Sequence, residues 1–163
     1  PYREFRVAKV KTPFKEHTGA YGESDGGAGY YEHLSSAGML VGAGYYDMAA
    51  DQLERFRHAV DASASGEKLV ALCAQAEQRG LKLSAMSEMK TAPRGYAKDH
   101  PRIEILRRKG LVASKEWPRA KWMGTKEAVT RVRDAWVAAA EVNEWLNQHV
   151  GPSTLPPADS LHT

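Results

Sequence analysis

The stretch GYYEHLSSAGMLVGAGYY, residues 29–46, decides the fold class of this chain. It contains two runs of aromatic and apolar residues, 29–34 and 39–46, which are separated by the connection SSAG. Two such runs joined by a short, glycine-containing segment are typical of adjacent antiparallel strands. The stretch therefore predicts a β-hairpin with a four-residue connection.

Two glycines of the second run, Gly42 and Gly44, could suggest a phosphate-binding loop. Such a loop requires glycines at a turn between a strand and a helix. Here the glycines lie inside a predicted strand, where glycine usually marks a close approach of other atoms. We therefore expect these positions to let a backbone or an aromatic ring pack closely against the sheet.

Helical periodicity dominates the chain after the hairpin. The helix starts are predicted at Asp47, at Ser65 and at Asp99-His100-Pro101, each with a residue suited to capping. The longest helix is predicted over residues 125–149 and ends before Gly151-Pro152. Its predicted apolar stripe consists of Val129, Val132, Trp136, Ala139, Val142 and Leu146.

Short strands are also predicted at residues 2–7, 81–86 and 111–114. Strands gathered early in the chain and helices later indicate an α+β fold. We expect a mostly antiparallel sheet with helices packed on one face and a long C-terminal helix. Residues 1–150 are predicted to form a single domain, and the segment GPSTLPPADSLHT, residues 151–163, is predicted to be a disordered tail.

Composition favours a cytoplasmic protein. The chain of 163 residues has a single cysteine, which excludes an internal disulfide and is typical of a reducing compartment. It contains neither an apolar run of about 18 residues nor a signal-peptide pattern, so no membrane partner is expected. The histidines lack paired ligand spacing, and we expect neither a metal nor a cofactor.

Two stretches concentrate basic side chains. PYREFRVAKVKTPFKEH supplies Arg3, Arg6 and Lys11, and TAPRGYAKDHPRIEILRRKG supplies Arg94 and His100 beside a predicted helix start. The planar guanidinium suits bidentate binding of phosphate or carboxylate, and a helix N-terminus adds backbone donors. These five residues are the predicted ligand site, and the expected partner is an anionic small molecule or nucleic-acid phosphate.

Two alternatives remain open from the sequence. The first is an enzyme of unassigned reaction in which the same cations stabilise charge and His100 or His33 acts as a general base. The second is a structural or interaction domain in which the arginines form an internal ion-pair network. For residues 107–109, a solvated helix face with a Glu104–Arg108 pair is the favoured interpretation. The oligomeric state is left open.

The chain also resembles a known family. Its opening YREFRVAKVKTPFKEH is similar to an Arg-Asp-x-Arg-Phe strand followed by an (Asp/Asn)-Lys-x-Pro-Tyr-Lys turn, with Glu4, Val7, Val10 and Phe14 as departures. The resemblance continues through GYYEHL, LVGAGYY, PRGYAKDHPRIEILRRKGLVAS and VNEWLNQHV. These motifs are those of domain of unknown function 2461, a bacterial family of uncharacterised proteins.

The resemblance implies a compact α+β domain with no established activity or cofactor. Family members usually carry a further helical segment before the strand that begins this chain. We therefore expect the N-terminus, which starts at Pro1, to be truncated. The departures Val10 and Phe14 remove polar groups from the signature, whereas Arg3, Arg6 and Lys11 are retained. This pattern favours anion binding over proton-transfer chemistry.

Overall fold

The computed structural model describes residues 17–23 and 27–156, which form a five-stranded antiparallel sheet and four α-helices. The strands are β1 (His17–Glu23), β2 (Gly29–Ser35), β3 (Gly38–Tyr45), β4 (Lys82–Ser84) and β5 (Leu111–Pro118). The helices are α1 (Ala50–Asp61), α2 (Ser63–Gln78), α3 (Ile103–Leu106) and α4 (Lys126–His149), and a 3₁₀ turn spans Lys121–Gly124. The predicted α+β class is confirmed.

The sheet has the strand order β1-β2-β3-β5-β4, and every neighbouring pair is antiparallel. Directly paired residues share a face of the sheet because side chains alternate along each strand. One row of paired positions runs Tyr21, Tyr31, Gly42 and Ser114. The next row along the strands points to the opposite face and includes Ala43. The two faces therefore differ in character.

The helices cover the face that carries Val41, Ala43 and Leu83, which are all buried. Helix α4 crosses this face, packing mainly against β3, and its Leu146 is fully buried. Burial of such a leucine side chain is worth roughly 1.5–3 kcal/mol. The prediction that the helices pack on one face of the sheet is confirmed.

Polar contacts fix the position of α4 against β2. The amide Nδ2 of buried Asn143 donates to the carbonyl of Gly29 over 3.2 Å, and the indole of Trp136 donates to the carbonyl of Tyr31 over 3.3 Å. The Trp136 ring also meets Tyr30 edge to face, with the ring centroids 5.8 Å apart. These contacts tie the helix to the strand whose other face carries Tyr31.

The hairpin is present with a shorter connection than predicted. Ser35 pairs with Gly38, so only two residues separate β2 and β3. The predicted cap Asp47 lies before the helix, and α1 begins after Ala49, whose backbone N–H donates to the Gln52 side chain over 3.0 Å. The side-chain amide of Gln52, the third residue of α1, thus caps the start of the helix, a role that was predicted for Asp47.

The predicted stripe of α4 is largely right, with one error. Val132, Ala139, Val142 and Leu146 are buried, whereas Val129 is 71% exposed. The buried set near the start of the helix is Ala128, Val132 and Ala135. The apolar face of α4 therefore includes Ala128 rather than Val129.

The helix predicted to begin at Asp99-His100-Pro101 is a single turn, α3, that starts at Ile103. Asp99 is exposed, and the segment before α3 consists of turns. This corrects the prediction of a capped helix start beside His100. A one-turn helix supplies no substantial macrodipole, since that dipole is the sum over many aligned peptide units.

The ends of the chain are described only in part. The strand predicted at residues 2–7 lies outside the described residues, as do residues 157–163 of the predicted tail. Before that point, Thr154 donates its backbone N–H to Asp51 over 2.8 Å, and Arg55 donates to the carbonyl of Pro152 over 2.8 Å. Among the described residues, no helix is long and apolar enough to cross a membrane.

Candidate functional site

Several arginines near α3 bind backbone carbonyls. Arg102 donates from Nε to the carbonyl of Val60 over 2.6 Å and from Nη2 to the carbonyl of Asp61 over 2.9 Å. Arg107 donates from Nε to the carbonyl of Met89 over 2.6 Å. Arg102 satisfies carbonyls at the C-terminal end of α1, and a cation there is favoured by the helix dipole. These two side chains hold elements together.

The ion pairs of this segment differ from the predicted pair. Arg108 lies 3.5 Å from Glu88, and Arg107 lies 3.9 Å from Glu104. The predicted Glu104–Arg108 pair is therefore wrong for the described residues, because Arg108 points toward the β4–α3 loop. The Arg108 side chain is only 20% exposed, so residues 107–109 are not a fully solvated face.

His100 is held in place by both of its ring nitrogens. Nε2 lies 2.9 Å from the Asp61 carboxylate, and Nδ1 accepts the backbone N–H of Arg102 over 3.0 Å. Since Nδ1 accepts, the proton is on Nε2, which donates to Asp61. A general base needs a lone pair free for a substrate proton, so this geometry gives the enzyme alternative little support at His100.

Arg94 is exposed in the loop that follows β4, and it makes no ion pair with a described residue. That loop leaves the sheet at Ser84, which pairs with Val112. Arg3, Arg6 and Lys11 lie outside the described residues. The single ligand site formed by these five residues therefore stays a prediction.

The sheet register shows where the N-terminal segment joins the fold. His17, the first residue of β1, pairs with Ser35 at the turn between β2 and β3. Val112 is aligned with Gly44, at the other end of this hairpin. Strand β1 therefore begins at the end of the sheet opposite to that from which the Arg94 loop departs.

A basic groove lies beside that entry point. Its volume is about 990 Å³. It is lined by Leu34, Ser35, Ser36, Arg119, Ala120, Lys121, Met123 and Gly124. Arg119 and Lys121 are exposed and have no ion-pair partner among the described residues. No carboxylate is present among the described residues that line this groove.

A cluster of aromatic rings and cations supports the wall of the basic groove. Trp117 and Trp122 meet edge to face with their ring centroids 5.6 Å apart. The Arg131 guanidinium lies 4.4 Å from the Trp122 ring centroid, and Lys115 Nζ lies 5.3 Å from that of Trp117. Cation–π contacts of this kind contribute roughly 0.5–1 kcal/mol each when exposed. They fix the segment that carries Arg119 and Lys121.

A second concavity, the tyrosine cavity, lies at the other end of the hairpin. Its volume is about 570 Å³. It is lined by Tyr21, Gly27, Tyr31, His33, Leu40, Gly44, Tyr45, Tyr46, Asp47, Gln52, Pro152 and Ser153. Tyr31 and His33 alternate with residues that face the helices, so both project from the uncovered face of the sheet.

Glycines make room for the tyrosine rings. A Cβ added at Gly42 would overlap the end of the Tyr31 ring, and one added at Gly29 would lie 2.6 Å from Cε2 of Tyr21. The rings thus occupy the space that side chains at these positions would fill. The expectation that Gly42 lets a ring pack closely against the sheet is confirmed.

The tyrosine cavity has an acidic environment. Burial, followed by electrostatic interaction with Tyr46 and Glu116, raises the pKa of Tyr31 to about 12. Asp47 is exposed at the rim, whereas the described lining residues include no lysine or arginine. No group of three or more His, Cys, Asp or Glu side chains in the described part of the chain could hold a metal ion.

Comparison with known proteins identifies the family. A family model described as "Conserved hypothetical protein (DUF2461)" matches residues 1–145. The chain belongs to this family. No curated protein and no solved structure matches it. The DUF2461 match confirms the predicted family, whereas the bacterial origin and the N-terminal truncation stay predictions.

Sequence reasoning missed both concavities of this DUF2461 protein. The tyrosine cavity had a signal in the two-residue alternation of Tyr31 and His33, with Gly42 at the position paired with Tyr31. The basic groove had a weaker signal, the interleaved aromatic and basic residues of WPRAKW, residues 117–122. In both cases the decisive residues come from different strands, which only the sheet register brings together.

Proposed function

We propose that this DUF2461 protein is a binding module for phosphate-bearing ligands, which it holds at the basic groove. One observation carries the proposal: Arg119 and Lys121 line, without a described ion-pair partner, a groove that adjoins the point where residues 1–16 enter the sheet. The predicted anion-binding residues Arg3, Arg6 and Lys11 belong to that entering segment.

The distribution of charge along the sequence supports this location. Residues 1–16 contain five lysines and arginines and two glutamates, an excess of three positive charges. Residues 17–163 contain 18 basic and 18 acidic side chains and are balanced. The net charge of +3 therefore arises from the segment that joins β1 at the basic groove. An anion is attracted to the place where cations are least neutralised.

The chemistry of the groove suits a phosphate group. Arg119 offers paired N–H donors in the planar geometry that phosphate oxygens accept, and Lys121 offers a point charge. The Ser35 and Ser36 hydroxyls line the same groove and can donate further hydrogen bonds. The source of the phosphate is either a small metabolite or a nucleic-acid strand.

The test is a calorimetric titration of the full chain with pyrophosphate. Arg119→Ala should weaken binding about tenfold or more, because it removes charge-assisted hydrogen bonds. Arg119→Lys should restore only part of the affinity, since lysine lacks the planar fork. Lys98→Ala, which removes an exposed cation from the β4–α3 loop, is the matched control and should leave the affinity unchanged.

Two variants locate the site further. Arg6→Ala should weaken pyrophosphate binding if the N-terminal segment contributes, and Arg94→Ala should weaken it only if the β4–α3 loop does. Unchanged affinity in Arg119→Ala, together with loss in Arg94→Ala, would contradict the proposed location. Absence of pyrophosphate binding at concentrations of about 10 mM would contradict the proposed function itself.

A single-stranded oligonucleotide distinguishes the two sources of phosphate. If nucleic acid is the ligand, the logarithm of the affinity should fall with the logarithm of the salt concentration, with a slope of about −0.7 per phosphate neutralised. Arg119→Ala should then reduce that slope and weaken binding equally for different base sequences, because phosphate contacts carry no sequence information. Tight pyrophosphate binding with no oligonucleotide binding would assign the groove to a small ligand.

A further inference from the structure

We propose that the tyrosine cavity binds an organic ammonium cation, which it holds between tyrosine rings and the Asp47 carboxylate. This goes beyond the proposed phosphate binding, because it concerns a ligand of opposite charge at the other end of the β2–β3 hairpin. The two sites share no lining residue. One proposal can therefore fail while the other stands.

The walls of the tyrosine cavity offer aromatic surface. Tyr31 and Tyr46 meet at an interplanar angle of 83°, with their ring centroids 6.1 Å apart, and so form two adjoining walls. Tyr46 is 55% exposed and Tyr21 is 60% exposed, which leaves ring surface accessible to a ligand. A cation over the face of such a ring is attracted by the negative quadrupole of the ring.

Two glycines let the Tyr31 and Tyr21 rings lie directly against the sheet. The Tyr31 ring end fills the space above Gly42, and the Tyr21 ring lies over Gly29 in the same manner. Both rings are thus seated against the strand backbone, which restricts their motion before a ligand arrives. Restricting a side chain in advance reduces the entropy that binding would otherwise cost.

The charges around the tyrosine cavity select for a cation. Asp47 lines it, and Glu116 of β5 adds, after burial and Tyr46, to the raised pKa of the Tyr31 phenol. Lys82 of β4 pairs with Ser114 of β5, on this face of the sheet, and is not part of the lining. The described lining contains the Asp47 carboxylate and no lysine or arginine, so a cation would be stabilised here more than an anion.

The volume of about 570 Å³ lies within the range of small-molecule sites and would admit a trimethylammonium group with a short substituent. Such a group is large and weakly hydrated, so its transfer from water to aromatic surface costs less than that of a compact ammonium ion. Quaternary ammonium compounds are therefore the ligand class that fits best.

Choline and its neutral isostere 3,3-dimethylbutan-1-ol provide a direct test, because they share shape and differ in charge. We expect choline to bind the full chain and the isostere to bind at least roughly fivefold more weakly, as expected for loss of a cation–π contact. Calorimetry measures both affinities. Equal affinities would show that the cavity recognises shape alone and would overturn the proposal.

Variants at the rim show whether ring and carboxylate act as proposed. Tyr46→Leu removes the aromatic face and should weaken choline binding roughly 5- to 30-fold, whereas Tyr46→Phe keeps the face and should retain it. Asp47→Asn should also weaken binding, and Asp99→Asn, at an exposed aspartate outside the lining, should not. Thermal denaturation of each variant checks that it is folded.

Two outcomes would overturn the proposal. One is failure of choline to bind at concentrations up to about 10 mM. The other is equal choline affinity in the wild type and in folded Tyr46→Leu. Pyrophosphate affinity, measured on the same Tyr46 variants, should be unchanged whichever result is obtained.

Discussion

At the scale of single residues, two neighbouring glycines of β3 have different roles. Gly42 leaves space for a side chain, the Tyr31 ring, whereas Gly44 leaves space for backbone: a Cβ there would overlap the carbonyl oxygen of Leu111. Gly44 also has φ of 132°, a value that residues with a side chain rarely adopt. Gly42 therefore makes room for a ring that lines the cavity, whereas Gly44 allows β3 to pair closely with β5.

This difference predicts opposite outcomes for two alanine substitutions. Gly42→Ala should displace the Tyr31 ring, reduce choline affinity and cost little stability, because a ring end can move. Gly44→Ala should lower the free energy of unfolding by roughly 1–3 kcal/mol, the cost of a strained backbone. Urea denaturation measures both stabilities. A larger stability loss in Gly42→Ala than in Gly44→Ala would contradict this assignment.

Asp51 anchors the segment that follows α4. It accepts the backbone N–H of Thr154, the hydroxyl of Ser153 over 2.7 Å and the guanidinium of Arg55 over 3.2 Å. The hydrogen bonds from Thr154 and then Ser153 hold the pKa of this carboxyl well below its usual range. The contacts therefore persist until the pH falls far below the ordinary value for aspartate.

The lowered pKa of Asp51 gives a pH dependence with a defined sign. Its stabilisation is fully present above the unfolded-state pKa of about 3.9 and is lost as the pH falls toward the lower folded-state pKa. Asp51→Asn should therefore reduce the decline of melting temperature below about pH 4. Asp99→Asn is the control. An unchanged pH profile in Asp51→Asn would show that this anchor does not contribute to acid stability.

At the scale of elements, α4 shows what periodicity can and cannot determine. The spacing of Val132, Ala139 and Leu146 predicts one buried face, and these residues are buried. Val129 lies three residues before Val132, a spacing that also permits burial, yet it is 71% exposed. A spacing of three or four residues defines a broad stripe, and the edge of that stripe depends on the neighbours packed against each turn.

The buried stripe of α4 is tested by a matched pair of truncations. Leu146→Ala should lower the free energy of unfolding by roughly 2–5 kcal/mol, because it leaves a cavity beside the sheet. Val129→Ala should change it by less than about 0.5 kcal/mol, as expected for an exposed position. Chemical denaturation measures both. Comparable losses in the two variants would mean that the orientation of α4 is wrong.

In the α3 region, the local sequence predicted a helix start that the structure does not have. The motif Asp99-His100-Pro101 has the composition of a helix start, but the residues are held by contacts that the sequence does not reveal. His100 binds Asp61, and Arg102 binds the last carbonyls of α1. These partners lie about 40 residues away in sequence, so local propensity could not predict them. The arginines of this region are structural for the same reason.

At the scale of the whole molecule, the sequence predicted the class of fold but not the location of its two concavities. Alternation and turn residues were enough for the hairpin, and helical periodicity was enough for α1, α2 and α4. The basic groove combines the β2–β3 turn with the segment after β5, and the tyrosine cavity combines β1, β2, β3 and the residues after α4. Such combinations depend on strand order, which periodicity alone does not specify.

The two proposed sites have opposite charge and are centred toward the two ends of one hairpin. Strand β1 begins at His17, opposite Ser35, while Asp47 lies just beyond the end of β3 at Tyr45. A hairpin of seven to eight residues per strand separates these ends by about 20 Å. The lining of the tyrosine cavity extends to His33, next to Leu34 of the basic groove, but the Asp47 carboxylate lies farther from the turn than the Debye length of about 8 Å at physiological salt. Asp47 should therefore not perturb a phosphate at the basic groove.

Backbone amide NMR spectra of the full chain, titrated in turn with pyrophosphate and with choline, test this claim most directly. We expect pyrophosphate to shift the amides of Ser36 and Lys121, choline to shift those of Gly44 and Tyr46, and neither ligand to affect the other set. Overlapping sets of shifted amides, or no saturable shift with either ligand, would contradict it.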